Sequence, residues 1–169
     1  RAGNVIGGGD WSSNRIVPDA MRALEAKNFV AVRNPTATRP WQHVLDPLSG
    51  YILLAEQLIT RTTTPDEAFN FGPLLKSNQP VSNLVEEILH HWNGSWKHTS
   101  KNDYPHEANL LNLQIEKAYH LLGWRPKWDF AETVSHTVNW YKKVHEGVDP
   151  YLATLSDLKE YELAKYLIE

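Results

Sequence analysis

The residues best suited to chemistry lie between positions 38 and 50, where Arg39 and Trp41 occupy a short extended run. A helix is predicted to begin directly afterwards, with Asp46 as its N-cap and Pro47 at the first helical position, where the missing N–H costs nothing. Arg39 is then a permanent cation just before a helix start, which suits binding of a phosphate or carboxylate. The alternative is that Arg39 is a surface residue and Trp41 fills the core.

Further groups that could bind an anion or a base lie in the first forty residues. They are two arginines, two asparagine amides and two indole rings: Arg15, Arg33, Asn4, Asn14, Trp11 and Trp41. The elements between them could fold back on one another. Arginines, amides and rings near a strand end suit a nucleotide or sugar-diphosphate site.

A glycine run at residues 7–9 separates the two asparagines. Three glycines allow a backbone to approach a ligand closely. The spacing of the glycines is not that of a dinucleotide-binding fingerprint or of a P-loop, and no lysine follows them. A plain surface turn is the alternative interpretation.

Other site chemistries find little support. The eight histidines are scattered without metal-ligand spacing, and no cysteine is present, so no metal site is predicted. No G-x-S-x-G motif occurs either. The acidic pairs Glu86–Glu87 and Asp103–Glu107 are typical of solvated charges. By its own residues the chain is a binder rather than a catalyst.

Composition narrows the class of protein. The 169 residues are 41% hydrophobic and 22% charged, which is typical of a globular domain. A net charge of −3 does not favour nucleic acid as a partner. No apolar run is long enough to predict a membrane span. The absence of cysteine fits a cytoplasmic location, which we expect.

Periodicity and turn signals predict a mostly helical chain with short strands between the helices. Helices are predicted over residues 16–28, 47–61, 82–92, 115–122, 130–146 and 152–169, and strands over 1–6, 29–33, 68–73 and 95–99. This pattern fits an α/β lobe that closes over a larger partner domain better than a free-standing parallel-sheet domain.

Individual helix ends and faces are also predicted. Ser82 is expected to cap its helix, Asp129 and Glu132 to form a capping box, and Gly123 to end the fourth helix. The buried face of the second helix is predicted to consist of Leu48, Tyr51, Ile52, Ala55 and Leu58. The last helix is expected to use Leu155, Leu158, Leu163 and Leu167 as anchors.

Several segments, taken in order, resemble one known family. Residues 1–11, 39–46, 70–72, 117–118, 122–126 and 140–141 resemble extended short-chain dehydrogenases that act on nucleotide sugars. The amino-acid sequence of the first two segments is similar to that of the CDP-glucose 4,6-dehydratases. The resemblance covers residues 1–146 and implies a C-terminal, mostly helical substrate-binding lobe of an extended Rossmann-type dehydrogenase.

The resemblance implies roles for individual residues. Asn4 and Arg39 match residues that hold the substrate diphosphate. The base and ribose would lie near the substrate-binding positions Asn14, Arg15, Ile16, Arg33, His106 and Glu107. Many relatives have a diphosphate-binding arginine where this chain has Tyr104. Ala2 and Gly3 match small residues whose backbone passes the nicotinamide of NAD.

The implied reaction converts CDP-glucose to CDP-4-keto-6-deoxyglucose with NAD. The family's NAD-binding glycine loop and Tyr-x-x-x-Lys pair are not in this chain, so both are expected before Arg1, and residues 1–169 alone are expected to be inactive. Residues 1–146 would form the substrate-binding portion with the last part of the Rossmann sheet, and 147–169 a helical extension. A homodimer is expected. The alternatives are another NAD-dependent nucleotide-sugar enzyme, such as a 4-epimerase, and a non-catalytic helical interaction module.

Overall fold

The computed structural model describes residues 1–60, 67–99 and 111–167. Helices alternate with short strands, as predicted. In chain order the elements are β1 (Asn4–Ile6), α1 (Ile16–Glu25), β2 (Val30–Val32), β3 (Thr38–His43), α2 (Leu45–Ile59), a 3₁₀ turn (Leu75–Ser77), β4 (Asn78–Pro80), α3 (Val81–His91), β5 (Trp96–His98), α4 (Glu116–Leu122), α5 (Phe130–His145) and α6 (Pro150–Leu163). Within the described ranges, no helix has the length and apolar character needed to cross a bilayer.

The strands form two small sheets. In the first, β1 pairs in parallel with β3, and β3 pairs antiparallel with β4. The register places Asn4 opposite Trp41 and Arg39 opposite Gln79. The second sheet is the parallel pair β2–β5. The predicted strand at 68–73 is reduced to one bridge, between Phe71 and Ala2.

A first core lies between the β1–β3 pair and helices α1, α3 and α5. Apolar side chains at helical spacing point inwards from each helix, as the periodicity predicts. Its buried members include Ile6, Val17, Met21, Leu24, Val32, Trp41, Leu84, Ile88, Val134, Val138 and Tyr141. This core fixes the strand ends that carry the candidate site.

A second core packs α2 and α4 around the segment that follows α2. It consists of Phe69, Phe71, Leu74, Ile115, Ala118, Leu122 and Trp124. Gly50 of α2 faces the Phe71 ring so closely that a Cβ there would lie 2.3 Å from a ring carbon. A glycine is therefore required for α2 to reach this core.

Two predicted helix signals are confirmed. The Asp129 side chain accepts from the Glu132 N–H at 3.1 Å, and the Glu132 carboxylate accepts from the Asp129 N–H at 2.9 Å, which completes the capping box of α5. Gly123 ends α4 in the left-handed conformation, with φ +69°. The first helix is shorter than predicted, because Lys27 leaves the helical region with φ +55°.

Most of the other predictions about helix ends and anchors are wrong. The Ser82 side chain makes no capping hydrogen bond, since α3 begins one residue earlier, at Val81. The last helix runs from Pro150 to Leu163 and is capped by Asp149. Its buried residues are Ala153, Asp157 and Tyr161. Of the predicted leucines, Leu158 and Leu163 are exposed, Leu155 is half-buried, and Leu167, which follows the helix, packs against the second core.

The two predictions for α2 are also wrong. Val44, not Asp46, precedes the helix, and Asp46 lies buried inside its first turn. The face expected to be buried, at Leu48, Tyr51, Ile52, Ala55 and Leu58, is exposed. The helix rotates this face outwards because Asp46, Pro47 and Gly50 are its buried residues.

Candidate functional site

Asn4 and Arg39 lie on the same face of the β1–β3 pair. Asn4 is opposite Trp41, and Arg39 precedes Trp41 by two residues, so strand alternation directs all three side chains to one side. With strands about 4.8 Å apart and about 3.3 Å of rise per residue, the Cα atoms of Asn4 and Arg39 are about 8 Å apart. This separation is compatible with both side chains contacting one diphosphate, and that role stays a prediction.

Arg39 is half-buried and is held by its own strand. Its Nη1 donates to the Thr38 carbonyl oxygen at 2.8 Å. One end of the guanidinium is thus oriented by backbone, which reduces the conformational entropy lost when the group binds an anion. The role of Arg39 on a diphosphate stays a prediction.

A second group of predicted residues surrounds the start of α1. Arg33, just after β2, donates from Nη2 to the Asn14 carbonyl oxygen at 3.5 Å. Arg15 precedes α1 and donates to the Asp10 carboxylate at 3.2 Å. Burial raises the pKa of Asp10, but the Ser12 hydrogen bonds and the Arg15 guanidinium outweigh this effect and hold it below the usual value. The structure therefore brings Asn14, Arg15 and Arg33 together.

The backbone between these arginines is also suited to an anion. Asn14 adopts a left-handed conformation, with φ +62°, and turns the chain into α1. No side chain caps the first turn of α1, so N–H groups at its positive end remain available. Ile16, a predicted contact, packs its side chain against the first core. Only its backbone could serve a ligand.

The glycine loop is shaped by α5. A Cβ at Gly8 would lie 2.1 Å from the Trp140 ring, and the Tyr141 hydroxyl donates to the Asp10 carbonyl oxygen at 2.5 Å. Trp11 packs edge-on against Tyr141, with ring centroids 5.0 Å apart. Burial raises the pKa of Tyr141 to about 12, so its hydroxyl stays a donor. The packing of Trp140 is thus sufficient to require a glycine at position 8.

The pair Trp140–Tyr141 positions the loop, a role that the sequence did not predict. The sequence predicts only that Tyr141 lies on the buried face of its helix, and the pair is part of the family resemblance. Nothing local indicates that an aromatic pair late in a helix contacts a loop 130 residues earlier. The sequence does contain a cluster of three glycines, which indicates a close approach but does not identify the group that approaches.

Ala2 and Gly3 lie at the start of β1. Ala2 bridges to Phe71, and a Cβ at Gly3 would lie 3.1 Å from the ring and the carbonyl oxygen of Pro40. These small residues offer backbone and no polar side chain. They fit the edge of an NAD site whose polar contacts come from elsewhere, and their role stays a prediction.

Trp41 and His43 are structural. Trp41 is buried in the first core and donates from Nε1 to the Gln79 carbonyl oxygen at 2.9 Å, so the prediction that it offers a stacking face is wrong. His43 is buried and its Nδ1 accepts from the Leu45 N–H at 3.3 Å. Burial, with a smaller effect of His136, lowers the pKa of His43 to about 3. His43 is therefore neutral.

Asp46 joins α2 to α6 through buried hydrogen bonds. Its Oδ1 accepts from the Lys127 N–H at 2.7 Å and from the Tyr161 hydroxyl at 2.8 Å. Ser49 lies 3.0 Å from the same hydroxyl and accepts from Trp124 Nε1 at 3.0 Å. Burial raises the pKa of Asp46 to about 6 against the lowering effect of its hydrogen bonds. The carboxylate acts in packing, not in the site.

Two predicted substrate contacts, His106 and Glu107, lie outside the described residues. Among the residues that are described, no group of three or more histidine, cysteine or acidic side chains could hold a metal ion. What the described part of the site offers is cationic and amide groups for an anionic ligand.

Comparison with characterised proteins identifies those to which this chain is similar. No family model matches the chain. The chain is 42% identical over 163 residues to CDP-glucose 4,6-dehydratase of Salmonella typhimurium (strain LT2), an alignment that covers 95% of the chain and 45% of that protein. The predicted resemblance to CDP-glucose 4,6-dehydratases is confirmed. The chain thus spans less than half the length of this relative, in its C-terminal part.

Solved structures agree on the fold. The structure of dTDP-glucose 4,6-dehydratase from Bacillus anthracis, in complex with NAD, superposes with a TM-score of 0.70 at 19% identity over 89% of the chain and 46% of that protein. UDP-glucose 4-epimerase from Stenotrophomonas maltophila, with bound NAD, gives 0.70 at 18% identity over 88% and 48%. The chain has the fold of the helical C-terminal lobe of an extended Rossmann-type dehydrogenase, as predicted.

Proposed function

We propose that residues 1–169 form the nucleotide-sugar-binding part of an NAD-dependent dehydratase that converts CDP-glucose to CDP-4-keto-6-deoxyglucose. The 42% identity to CDP-glucose 4,6-dehydratase across 95% of the chain carries the proposal, because the aligned length spans both clusters of anion-binding residues. The coarser conclusion, a nucleotide-sugar dehydratase or epimerase, is also supported by the structural neighbours.

Each described site residue has a place in this proposal. Asn4 and Arg39 would hold the diphosphate from one face of the β1–β3 pair, at a separation that suits two adjacent phosphates. The group Asn14, Arg15 and Arg33 would bind the nucleoside end with backbone and guanidinium donors. Binding of the nucleotide would fix the sugar for reaction elsewhere in the enzyme.

The chemical step would use groups outside residues 1–169. NAD supplies hydride acceptance from C4 of the glucose and hydride return to C6, with loss of water between C5 and C6. Ala2 and Gly3 would pass the nicotinamide without a polar side chain, and a Cβ at Gly3 would lie 3.1 Å from Pro40. We expect the full-length enzyme to be cytoplasmic and to act as a homodimer.

An NAD-dependent 4-epimerase is the second candidate. The observation that favours it is the close structural similarity to epimerases, such as UDP-glucuronic acid 4-epimerase from Bacillus cereus, with a TM-score of 0.67 at 16% identity over 85% of the chain and 44% of that protein. A shared fold is compatible with either reaction. The two candidates differ in the nucleotide and the product.

Competition between nucleotides distinguishes the candidates. The full-length enzyme is incubated with CDP, UDP, GDP or dTDP as competitors of CDP-glucose turnover, and the product is analysed by mass spectrometry. We expect CDP to inhibit at least tenfold better than the other three and the product to be 18 mass units lighter, through loss of water. A product of unchanged mass, or a preference for UDP, would reject the dehydratase assignment.

A further inference from the structure

Three consecutive backbone carbonyls connect the loop before α1 to side chains of two helices. The Asp10 carbonyl oxygen accepts from the Tyr141 hydroxyl of α5 at 2.5 Å. The next two carbonyl oxygens, those of Trp11 and Ser12, accept from Nη1 and Nη2 of Arg22 at 3.0 and 3.2 Å. Arg22 lies on α1, so one guanidinium joins this helix to the loop that leads into it. The planar fork of the guanidinium suits two neighbouring acceptor oxygens.

The loop held in this way lies between two left-handed residues. Gly9 has φ +84° and Asn14 has φ +62°, so the chain turns at both ends of the loop. Residues 11–15 are exposed and lie outside the helices and strands. An exposed segment with little packing of its own depends on its tethers for a fixed path. The loop carries Asn14 and Arg15, two of the residues proposed to bind the nucleoside.

The Arg22 guanidinium is used within the protein. Its Nη2 also donates to the carboxylate of Asp19, one turn earlier on α1. The charge of the arginine is therefore paired within its own helix, and both terminal nitrogens are directed at protein oxygens. The Arg22 side chain is half-buried. This arrangement suits a residue that acts on a ligand through the loop and not by direct contact.

We propose that Arg22 is a positioning residue for the nucleotide, because it holds the loop at residues 10–15 against α1 with Asn14 and Arg15 in place for the nucleoside. This inference rests on the proposed function, in which that loop binds a nucleotide. When only a fraction of the molecules has the competent loop, the apparent Kd rises by the reciprocal of that fraction. A loop in place in about one molecule in ten thus binds about tenfold more weakly. The chemical step uses other groups and keeps its rate once substrate is bound.

Nucleotide affinity of the full-length enzyme tests this role. Arg22→Ala removes the guanidinium, and Arg22→Lys keeps a positive charge beside Asp19 without the planar fork. The matched control is Arg125→Ala, because Arg125 also donates to a backbone carbonyl oxygen, that of Leu167, at 3.4 Å. Kd, KM and kcat are measured with the nucleotide sugar that the wild type prefers among its CDP, UDP, GDP and dTDP forms. Hydrogen exchange is followed in the peptide that contains residues 10–15.

We expect Arg22→Ala to raise Kd and KM about tenfold and to leave kcat within about twofold. The midpoint of its thermal unfolding should stay within about 2 °C of the wild type, as is usual for a surface substitution. Arg22→Lys should raise Kd at least about fivefold, because the ammonium lacks the fork. Amide exchange in the loop should be faster in free Arg22→Ala and return to the wild-type rate at saturating ligand. Arg125→Ala should change neither affinity nor loop exchange.

An unchanged Kd in Arg22→Ala overturns the proposal, and so does full recovery of affinity in Arg22→Lys, because recovery would assign the effect to charge alone. A weaker Kd with unchanged exchange in the loop overturns it as well, since the loop is then not what Arg22 controls. The proposed function is judged separately, by the nucleotide preference of the wild type. A preference for UDP rejects the CDP assignment, and the Arg22 comparison is then made with the UDP-sugar.

Discussion

At the scale of single residues, His43 and Asp46 show how the motif around Arg39 divides into binding and support. Arg39 is half-buried and donates to the Thr38 carbonyl oxygen, whereas His43 and Asp46 are buried and make hydrogen bonds within the fold. Burial shifts the pKa of both groups towards the neutral form. A run of polar residues that looks like one site therefore contains two structural residues beside the one proposed to bind substrate.

Opposite pH dependences follow from these two groups. Unfolded His43 takes up a proton below pH 6.5, and folded His43 only near pH 3, so the free energy of unfolding falls as the pH is lowered between these values. Folded Asp46 is protonated below about pH 6 and unfolded Asp46 only below 3.8, so stability falls as the pH rises through that range. The two effects nearly cancel between pH 4 and 6.

Single variants should reveal the pH dependence of the free energy of unfolding that each group contributes. We expect Asp46→Asn to make stability rise with pH between about 4 and 6, by about 1 kcal/mol per pH unit relative to wild type, because His43 then acts alone. His43→Gln should give the opposite sign. Urea unfolding of the full-length enzyme, followed by tryptophan fluorescence at several pH values, measures both. Slopes of the same sign in the two variants would contradict the opposite effects expected from the shifted pKa values of His43 and Asp46.

At the scale of elements, local signals were predictable and surface orientation was not. The capping box of Asp129 and Glu132 and the left-handed Gly123 follow from residues within four positions of one another. The apolar face of α2 was equally clear in the sequence, but periodicity does not say whether the fold buries it. The sequence predicts Asp46 as an N-cap, but an aspartate before a proline is equally suited to accept hydrogen bonds in the interior of the fold.

The candidate site shows the same limit. Asn4 and Arg39 could be placed together only once the parallel register of β1 and β3 was known. The sequence predicts that Trp41 offers its ring for stacking on a base, whereas the fold buries this side chain. Helix α5 positions the glycine loop through contacts between residues that are far apart in the sequence, and composition does not predict such contacts.

The contact between the glycine loop and α5 gives an element-scale prediction. Gly8→Ala would place a methyl group 2.1 Å from the Trp140 ring, so we expect a loss of about 1–3 kcal/mol in stability from overpacking. Thermal unfolding of Gly8→Ala, Trp140→Ala and the double variant measures the coupling between the positions. The penalty of the alanine should disappear in the Trp140→Ala background. An equal penalty in both backgrounds would show that Gly8 is needed for another reason.

At the scale of the whole molecule, two cores hold a small sheet between them. Helices α1, α3 and α5 cover one face of the β1–β3 pair, and α2 and α4 enclose the second core. Helix α6 is attached to α2 by the hydrogen bonds of Tyr161 and Asp46. The residues proposed to bind substrate sit at the strand and helix ends that this framework fixes, which suits a lobe that positions a ligand for chemistry elsewhere.

The most direct test of the account is the affinity of the full-length enzyme for CDP-glucose when Arg39 is removed. Isothermal titration calorimetry compares wild type, Arg39→Ala and the control Arg125→Ala, whose guanidinium stacks on Tyr119 at the second core. We predict that Arg39→Ala weakens binding by about 2–4 kcal/mol, through loss of one partner of a buried charge pair, and that Arg125→Ala leaves the Kd within about twofold. An unchanged Kd for Arg39→Ala, in a variant with wild-type thermal stability, would contradict the diphosphate role.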